Sequence, residues 1–271
     1  LPAIDISRLQ NQINHLVSLM GEPQSFRQEL HAILGFYHRY SHRPSKDAVP
    51  KSFMRMYNLP DQVTRQIEIT LRKPAQTNPE HVFDIVQALW QDDHFEARDL
   101  ATYLLGQVPV TYSERVTSII LAWLEQPLDR AVINALFSKS NSAIKSADPA
   151  AWFAFIEKLI ENPLPKFQNY GLLALWHELD QIPLSSLPAI FNLIRPFLQG
   201  SDLQFSDNLQ RIVHKLASQN PFETVYFLKQ VLSDTEGVKI ESQMRSFLNS
   251  FPDENRLSLQ AAIKAYHDRT Y

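Results

Sequence analysis

The chain contains no cysteine, which excludes disulfides and thiolate ligation of zinc or iron–sulfur centres. A reducing, cytoplasmic setting is therefore expected. Glycine is scarce, at 6 residues of 271 against 17 prolines, too few for a protein built on tight β-hairpins. No apolar run reaches the roughly 18 residues that a spanning helix requires, and neither a signal peptide nor a lipidation signal is recognisable, so no membrane partner is expected. Gly-rich phosphate loops, Ser-centred nucleophile elbows and HExxH are all missing. Their absence argues against nucleotide hydrolysis and ordinary hydrolase chemistry, and no cofactor is expected.

What the chain does have is regular punctuation. Pro60, Pro79, Pro127, Pro149, Pro165, Pro183 and Pro221 each stand at the threshold of an amphipathic stretch. Proline is accepted in the first turn of a helix, where its missing N–H has no intrahelical partner, but costs about 3 kcal/mol deeper in. Each of these prolines is thus expected to open a helix. The clearest unit begins at Pro79: Val82, Phe83, Ile85, Val86, Leu89 and Trp90 recur at helical spacing, a break follows at Gln91 to Asp93, and Phe95, Leu100, Tyr103 and Leu104 mark a second helix. Asp92 or Asp93 is expected to cap that helix, Glu96 to favour its N-terminal dipole, and Gly106 with Pro109 to stop it.

The pattern recurs in Tyr112 to Leu124 with Leu128 to Phe137, Trp152 to Ile160 with Phe167 to Leu179, Ile190 to Leu198 with Leu209 to Leu216, and Phe222 to Leu232 with Glu241 to Leu248. A closing helix is expected near Arg256 to Tyr266. The N-terminal part adds Ile4 to Leu19, Phe26 to Tyr37, a proline-flanked stretch at Ser45 to Tyr57, and Gln62 to Leu71. Pairs start about 35 to 40 residues apart, the period of HEAT-like or armadillo-like repeats. The reading is an all-α protein, an α-solenoid of HEAT-like antiparallel helix pairs, curved with a concave groove. One repeat domain is expected over 1–271, with basic N-terminal helices at 1–75 and stacked pairs at 76–271. Such a surface grips extended partners, nucleic acid or protein.

Two segments carry a more specific likeness. Tyr57-Asn58-Leu59-Pro60-Asp61 is followed by Asp93-His94-Phe95-Glu96-Ala97-Arg98, and Asn208 to Leu232 reads NLQRIVHKLASQNPFETVYFLKQVL. This order of tyrosine, loop, proline and helix, then a helix opening with E-x-R and alanine, resembles the DNA alkylation repair family, the HEAT-like alkylpurine DNA glycosylases. The likeness spans roughly residues 25 to 250. It implies a helical solenoid that receives DNA on its concave face and excises N3- or N7-alkylated purines, a carboxylate beside aromatic side chains stabilising the cationic sugar and orienting water.

The resemblance also implies where the chemistry departs. Active members carry a Trp-rich motif with a catalytic aspartate at the start of the helix matching Leu128 to Leu136. Here the run is Pro127-Leu128-Asp129-Arg130-Ala131-Val132-Ile133-Asn134, without a tryptophan pair. Asp129 is the candidate catalytic carboxylate, with helix capping as its structural alternative. Where active members place paired arginines on the phosphate backbone, this chain has Lys166-Phe167. A family tryptophan falls at or near His214, read here either as a DNA-facing residue or as a core or groove-lining imidazole. Trp90, Trp123, Trp152 and Trp176 sit at apolar helical positions and are expected in the core, with at most one facing a ligand.

Charge is unevenly placed. Between Tyr37 and Lys73 eight cations (Arg39, Arg43, Lys46, Lys51, Arg55, Arg65, Arg72, Lys73) face three acids, although the whole chain is net −3. Arg39, Arg43, Lys46, Lys51, Arg55, Arg65, Lys166 and His214 are the candidate DNA contacts, set against the alternative of solvent-facing charges paired with local acids. His38 and His42 are four apart, but no third ligand is near in sequence, and no metal site is expected. The function expected is binding of duplex or damaged DNA with glycosylase activity weakened or lost. A protein-interaction scaffold without DNA is the alternative, and an active N3/N7-alkylpurine glycosylase the third option.

Overall fold

The computed structural model describes residues 4–38, 53–180, 186–200, 205–235 and 238–270. The fold is all-α. Among the described residues there is no strand, only an isolated bridge between Arg55 and His94. The chain divides into two compact units, Leu1–Phe153 and Ala154–Tyr271.

The first unit holds α1 (Ile6–Ser18), α2 (Pro23–His38), α3 (Asp61–Thr77), α4 (Pro79–Trp90), α5 (Phe95–Gln107), α6 (Ser113–Glu125), α7 (Arg130–Lys139) and α8 (Ser142–Ala147); α9 (Pro149–Ile160) runs through the division. The second holds α10 (Pro165–Glu178), α11 (Leu187–Gly200), α12 (Ser206–Gln219), α13 (Pro221–Ser233), α14 (Val238–Phe247) and α15 (Asp253–Thr270). In the first unit α1, α3, α5 and α7 pack side by side as one layer, and α2 and α4 lie in the other. In the second, α10, α12 and α14 make one layer and α11, α13 and α15 the other.

Helical pairs form because each helix has one apolar stripe to bury. Val82, Phe83, Ile85, Val86, Leu89 and Trp90 of α4 are all buried, each large side chain contributing about 1.5–3 kcal/mol. Trp90 of α4 stacks on Trp123 of α6 with ring centroids 3.8 Å apart.

Hydrogen bonds between successive repeats reveal the period directly. In the second unit Asn208 bonds Asn169, Lys215 bonds the Trp176 carbonyl and Gln219 bonds Asp180, every pair 39 positions apart. In the first unit the offsets are 39 for Tyr57 with Glu96, 40 for Lys139 with Asp99 and 36 for Trp90 with Gln126. The period expected from the starts of successive helix pairs is therefore the spacing of the contacts.

Pro79, Pro149, Pro165 and Pro221 are the first residues of their helices, and Pro60 stands in the N-cap position of α3. Pro183 lies outside the described residues. Two other prolines break the rule: α3 continues through Pro74 and α11 through Pro196. Near Pro74 the helix end is held by Thr77 Oγ1, which donates to the Lys73 and Pro74 carbonyls, and by the Asn78 N–H, which also donates to Pro74.

α5 ends at Gln107, between Gly106 and Pro109 as expected, but Gly106 also has a packing role. It lies inside the helix, and a Cβ there would sit 1.9 Å from the Lys139 carbonyl oxygen at the end of α7. Gly171 repeats the device in α10, where a Cβ would come 2.7 Å from the Ile160 nitrogen at the end of α9. Only glycine lets these helices approach so closely.

Candidate functional site

The Tyr57–Pro60 loop is fastened to the start of α5. Glu96 Oε1 accepts from the backbone N–H groups of Tyr57 (2.8 Å) and Asn58 (2.9 Å), and Asn58 takes a positive φ of 49°. Glu96 therefore clamps a neighbouring loop rather than serving only its own helix dipole. Asp92 likewise does not cap α5 through its first turn. Its Oδ1 accepts from the backbone N–H of His94 at 2.9 Å and from the His94 ring Nδ1 at 3.1 Å. Arg98 Nε donates to the Asp92 carbonyl at 2.9 Å, and its guanidinium lies over Trp90.

Around Asp92 the fold gathers three further side chains. His31 of α2 reaches Asp92 Oδ2 through Nε2 at 2.7 Å and the Tyr57 hydroxyl through Nδ1 at 2.8 Å. The Tyr57 ring stacks on His94 at 4.7 Å, and Arg27 stands 4.0 Å from Asp92. Burial alone would raise the Asp92 pKa, but hydrogen bonds from His31 and from the His94 backbone and ring bring it below the ordinary carboxylate value. Burial, then the charges of Asp92 and Glu96, push the Tyr57 phenol up, so it keeps its proton. Sequence reading missed this cluster because His31 and Asp92 are 61 positions apart. His38, by contrast, pairs with the Tyr57 carbonyl, and His42 lies outside the described residues.

Asp129 is the N-cap of α7. Its Oδ1 accepts from the Ala131 N–H at 2.7 Å and its Oδ2 from the Phe53 N–H at 2.8 Å, so both carboxylate oxygens are engaged by backbone. Asn134, the other position weighed for an acidic role, leaves its Oδ1 buried without a hydrogen-bond partner.

In the second unit α10 and α12 bring cations onto an aromatic base. The Arg211 guanidinium lies 4.0 Å over Trp176, and Lys215 Nζ, one turn on, lies 5.0 Å from the same ring and 2.7 Å from Asp180. Cations over an indole face are held by its quadrupole. Lys166 Nζ sits 5.7 Å from the Tyr170 ring. Trp90, Trp123 and Trp152 are core residues, whereas Trp176 is half-exposed. His214, between Arg211 and Lys215 in sequence, is exposed rather than in the core.

Of the candidate DNA contacts, Arg39, Arg43, Lys46 and Lys51 lie outside the described residues. Arg55 and Arg65 are exposed in the first unit, and Lys166 and His214 in the second. Arg211 and Lys215 were missed as a pair. The available signal was their i, i+4 spacing one repeat after Trp176.

A family model described as DNA alkylation repair enzyme matches residues 41–202. No curated protein matches the chain. Among solved structures, a designed armadillo repeat protein aligns over 98% of this chain and 96% of its own at 14% identity and a TM-score of 0.33. No helix among the described residues is long and apolar enough to cross a membrane.

Proposed function

This chain belongs to the DNA alkylation repair enzyme family, and on that premise we propose that it binds duplex or damaged DNA through backbone contacts, with glycosylase activity weakened or lost. The observation that carries the loss of activity is the double engagement of Asp129. A carboxylate that accepts from two backbone N–H groups at 2.7 and 2.8 Å is turned to capping α7 and holding Phe53, not to a water or a sugar. General-base or electrostatic work on a flipped nucleotide needs an oxygen aimed at the reacting centre.

DNA contact is supported by the cations at the α10–α12 seam. Arg211 lies over the half-buried indole of Trp176, Lys215 one turn on is held by Asp180 and the Trp176 carbonyl, and Lys166 is exposed at the start of α10. Phosphate neutralisation by such side chains releases counterions. With five to eight phosphate contacts, log affinity falls with log salt at a slope of about −4 to −7.

The test is fluorescence anisotropy with a short duplex, unmodified or carrying an abasic-site analogue, at two salt concentrations. Salt-dependent binding that favours the damaged duplex, weakened by Arg211→Glu and Lys166→Glu and accompanied by little or no release of 7-methylguanine, is the expected result. Absence of binding at low salt would sink the DNA reading. Rapid 7-methylguanine release that Asp129→Asn abolishes would overturn the loss of activity.

One observation favours the alternative of a protein-interaction scaffold. Phe222 and Tyr226 of α13 are exposed, and with Leu187, Phe191 and Phe227 they line an open hollow of about 680 Å³. Exposed large aromatics gathered in one place are a mark of interaction surfaces. A Phe222→Ser/Tyr226→Ser variant that keeps DNA affinity but loses a partner in pull-down would support this second role.

A further inference from the structure

We propose that His31, Asp92 and His94 form a binding site for a first-row divalent metal ion of the zinc type. Two imidazoles and one carboxylate are a donor set that such ions prefer. One ligand atom from each residue lies within 4.8 Å of the others. Zinc–ligand bonds of about 2.0–2.2 Å place neighbouring ligand atoms of a tetrahedral site about 3.3 Å apart. His31 Nε2 lies 2.7 Å from Asp92 Oδ2 and His94 Nδ1 lies 3.1 Å from Asp92 Oδ1, so the two imidazoles flank the carboxylate, one at each oxygen, and small side-chain adjustments admit an ion between them.

The surroundings hold the ligands in place. Nδ1 of His31 meets the Tyr57 hydroxyl at 2.8 Å. With metal on Nε2, the Nδ1–H donates a hydrogen bond to the phenol oxygen, which stands where a metal-bound histidine more often meets a carboxylate, carbonyl or water. His94 is fixed by stacking on Tyr57 at 4.7 Å and by its own backbone N–H bond to Asp92. The Asp92 main chain is pinned by Arg98. Asp92 is buried, whereas the imidazoles are each about a quarter exposed, so water can enter to complete the coordination. Arg27, 4.0 Å from Asp92, opposes the ion by charge. Its own side chain is 36% exposed, and it can turn outward to solvent.

The site joins α2 to the start of α5 and touches the Tyr57 loop, so an occupied site ties together the segments that Glu96 already clamps. It is independent of Asp129 and of the α10–α12 seam. Failure of the metal proposal therefore leaves the DNA reading untouched, and the reverse also holds.

The experiment is equilibrium dialysis of the untagged full chain against Zn(II) at neutral pH, with Co(II) visible absorption as the spectroscopic readout. The expected result is one equivalent per chain, a rise in thermal midpoint with Zn(II), and intense d–d bands of low-symmetry Co(II). His31→Gln and His94→Gln should each weaken binding at least about tenfold while helix content is retained. Tyr57→Phe, which removes only the outer partner, should weaken it about tenfold, and Arg27→Gln should strengthen it. His15→Gln and His81→Gln serve as controls on surface histidines outside the cluster and should bind like the parent. Absence of stoichiometric binding, or binding that His31→Gln and His94→Gln leave unchanged, overturns the proposal. Should Asp92→Asn unfold the chain, the two histidine variants still decide it.

Discussion

Lys139 Nζ of α7 donates to Asp99 Oδ2 of α5 at 2.7 Å, and the same ammonium reaches Glu68 of α3 at 2.9 Å. One side chain thus ties three neighbouring helices of a layer. Burial disfavours the ammonium, but the Asp99 charge and hydrogen bond, then those of Glu68, outweigh it and raise the pKa.

Lys139→Met should destabilise the chain by about 2–4 kcal/mol, because Asp99 and Glu68 are left facing each other without a cation. Urea unfolding at pH 7 measures it. A raised lysine pKa contributes stability that is fully present below the unfolded value of about 10.4 and is lost as pH rises through the higher folded value. The difference between parent and variant should therefore hold from pH 7 to about 10 and shrink above that.

Gly106→Ala should also destabilise, by about 3 kcal/mol or more, despite alanine's better helix propensity of about 1 kcal/mol. The added Cβ meets a backbone carbonyl at 1.9 Å, and backbone cannot turn aside as a flexible side chain would. A thermal midpoint equal to or above the parent's would contradict this packing.

Glu96→Ala removes the acceptor for two N–H groups and should cost about 2 kcal/mol. Hydrogen exchange gives the sharper readout. The amides of Tyr57 and Asn58 should lose protection, while those in the middle of α4 exchange as before.

Glu241 of α14 accepts from Arg245 and lies 3.1 Å from His267 of α15. The Arg245 hydrogen bond, then that of His267, holds its carboxyl below the ordinary range. A depressed carboxylate stabilises above its unfolded pKa, about 4.3, and loses that contribution as pH falls through the folded value. The thermal midpoint of the parent should exceed that of Glu241→Gln at pH 7, and the gap should close progressively below about pH 4.5.

Arg39, Arg43 and Lys51 enter on sequence alone. The triple change to glutamate should abolish most duplex affinity and flatten the salt dependence by about three phosphate contacts, with a slope less steep by about 2.7. Circular dichroism unchanged from the parent would show that the loss is not unfolding.

Much of the helical plan was legible because helix starts are local events. A proline at the first position and an apolar stripe at 3.6-residue spacing act within one or two turns, so α4, α5, α9, α10 and α13 fall close to their expected limits. The limits of some helices and the second roles of some residues were less legible. α3 runs on past Leu71 through Pro74, held by the local bonds of Thr77 and Asn78, Gly106 stands at the end of α5 but is also required by the distant Lys139 carbonyl, and the short α8 offers too few turns for periodicity to register.

The functional residues divide along the same line. Asp129 was legible as a cap from its place two residues after a proline and as a catalytic candidate from the family resemblance, and the cations between Tyr37 and Lys73 marked a basic N-terminal region. Only tertiary contact decided that both its oxygens are engaged, that Trp176 alone of the four tryptophans stands half-exposed under Arg211, and that His31 meets Asp92 and His94. Sequence determines periodicity, charge and caps because these depend on residues a few positions apart. Which side chains share a site depends on the packing of whole repeats, and that is fixed only when helices 35 to 40 residues apart bury their stripes against each other.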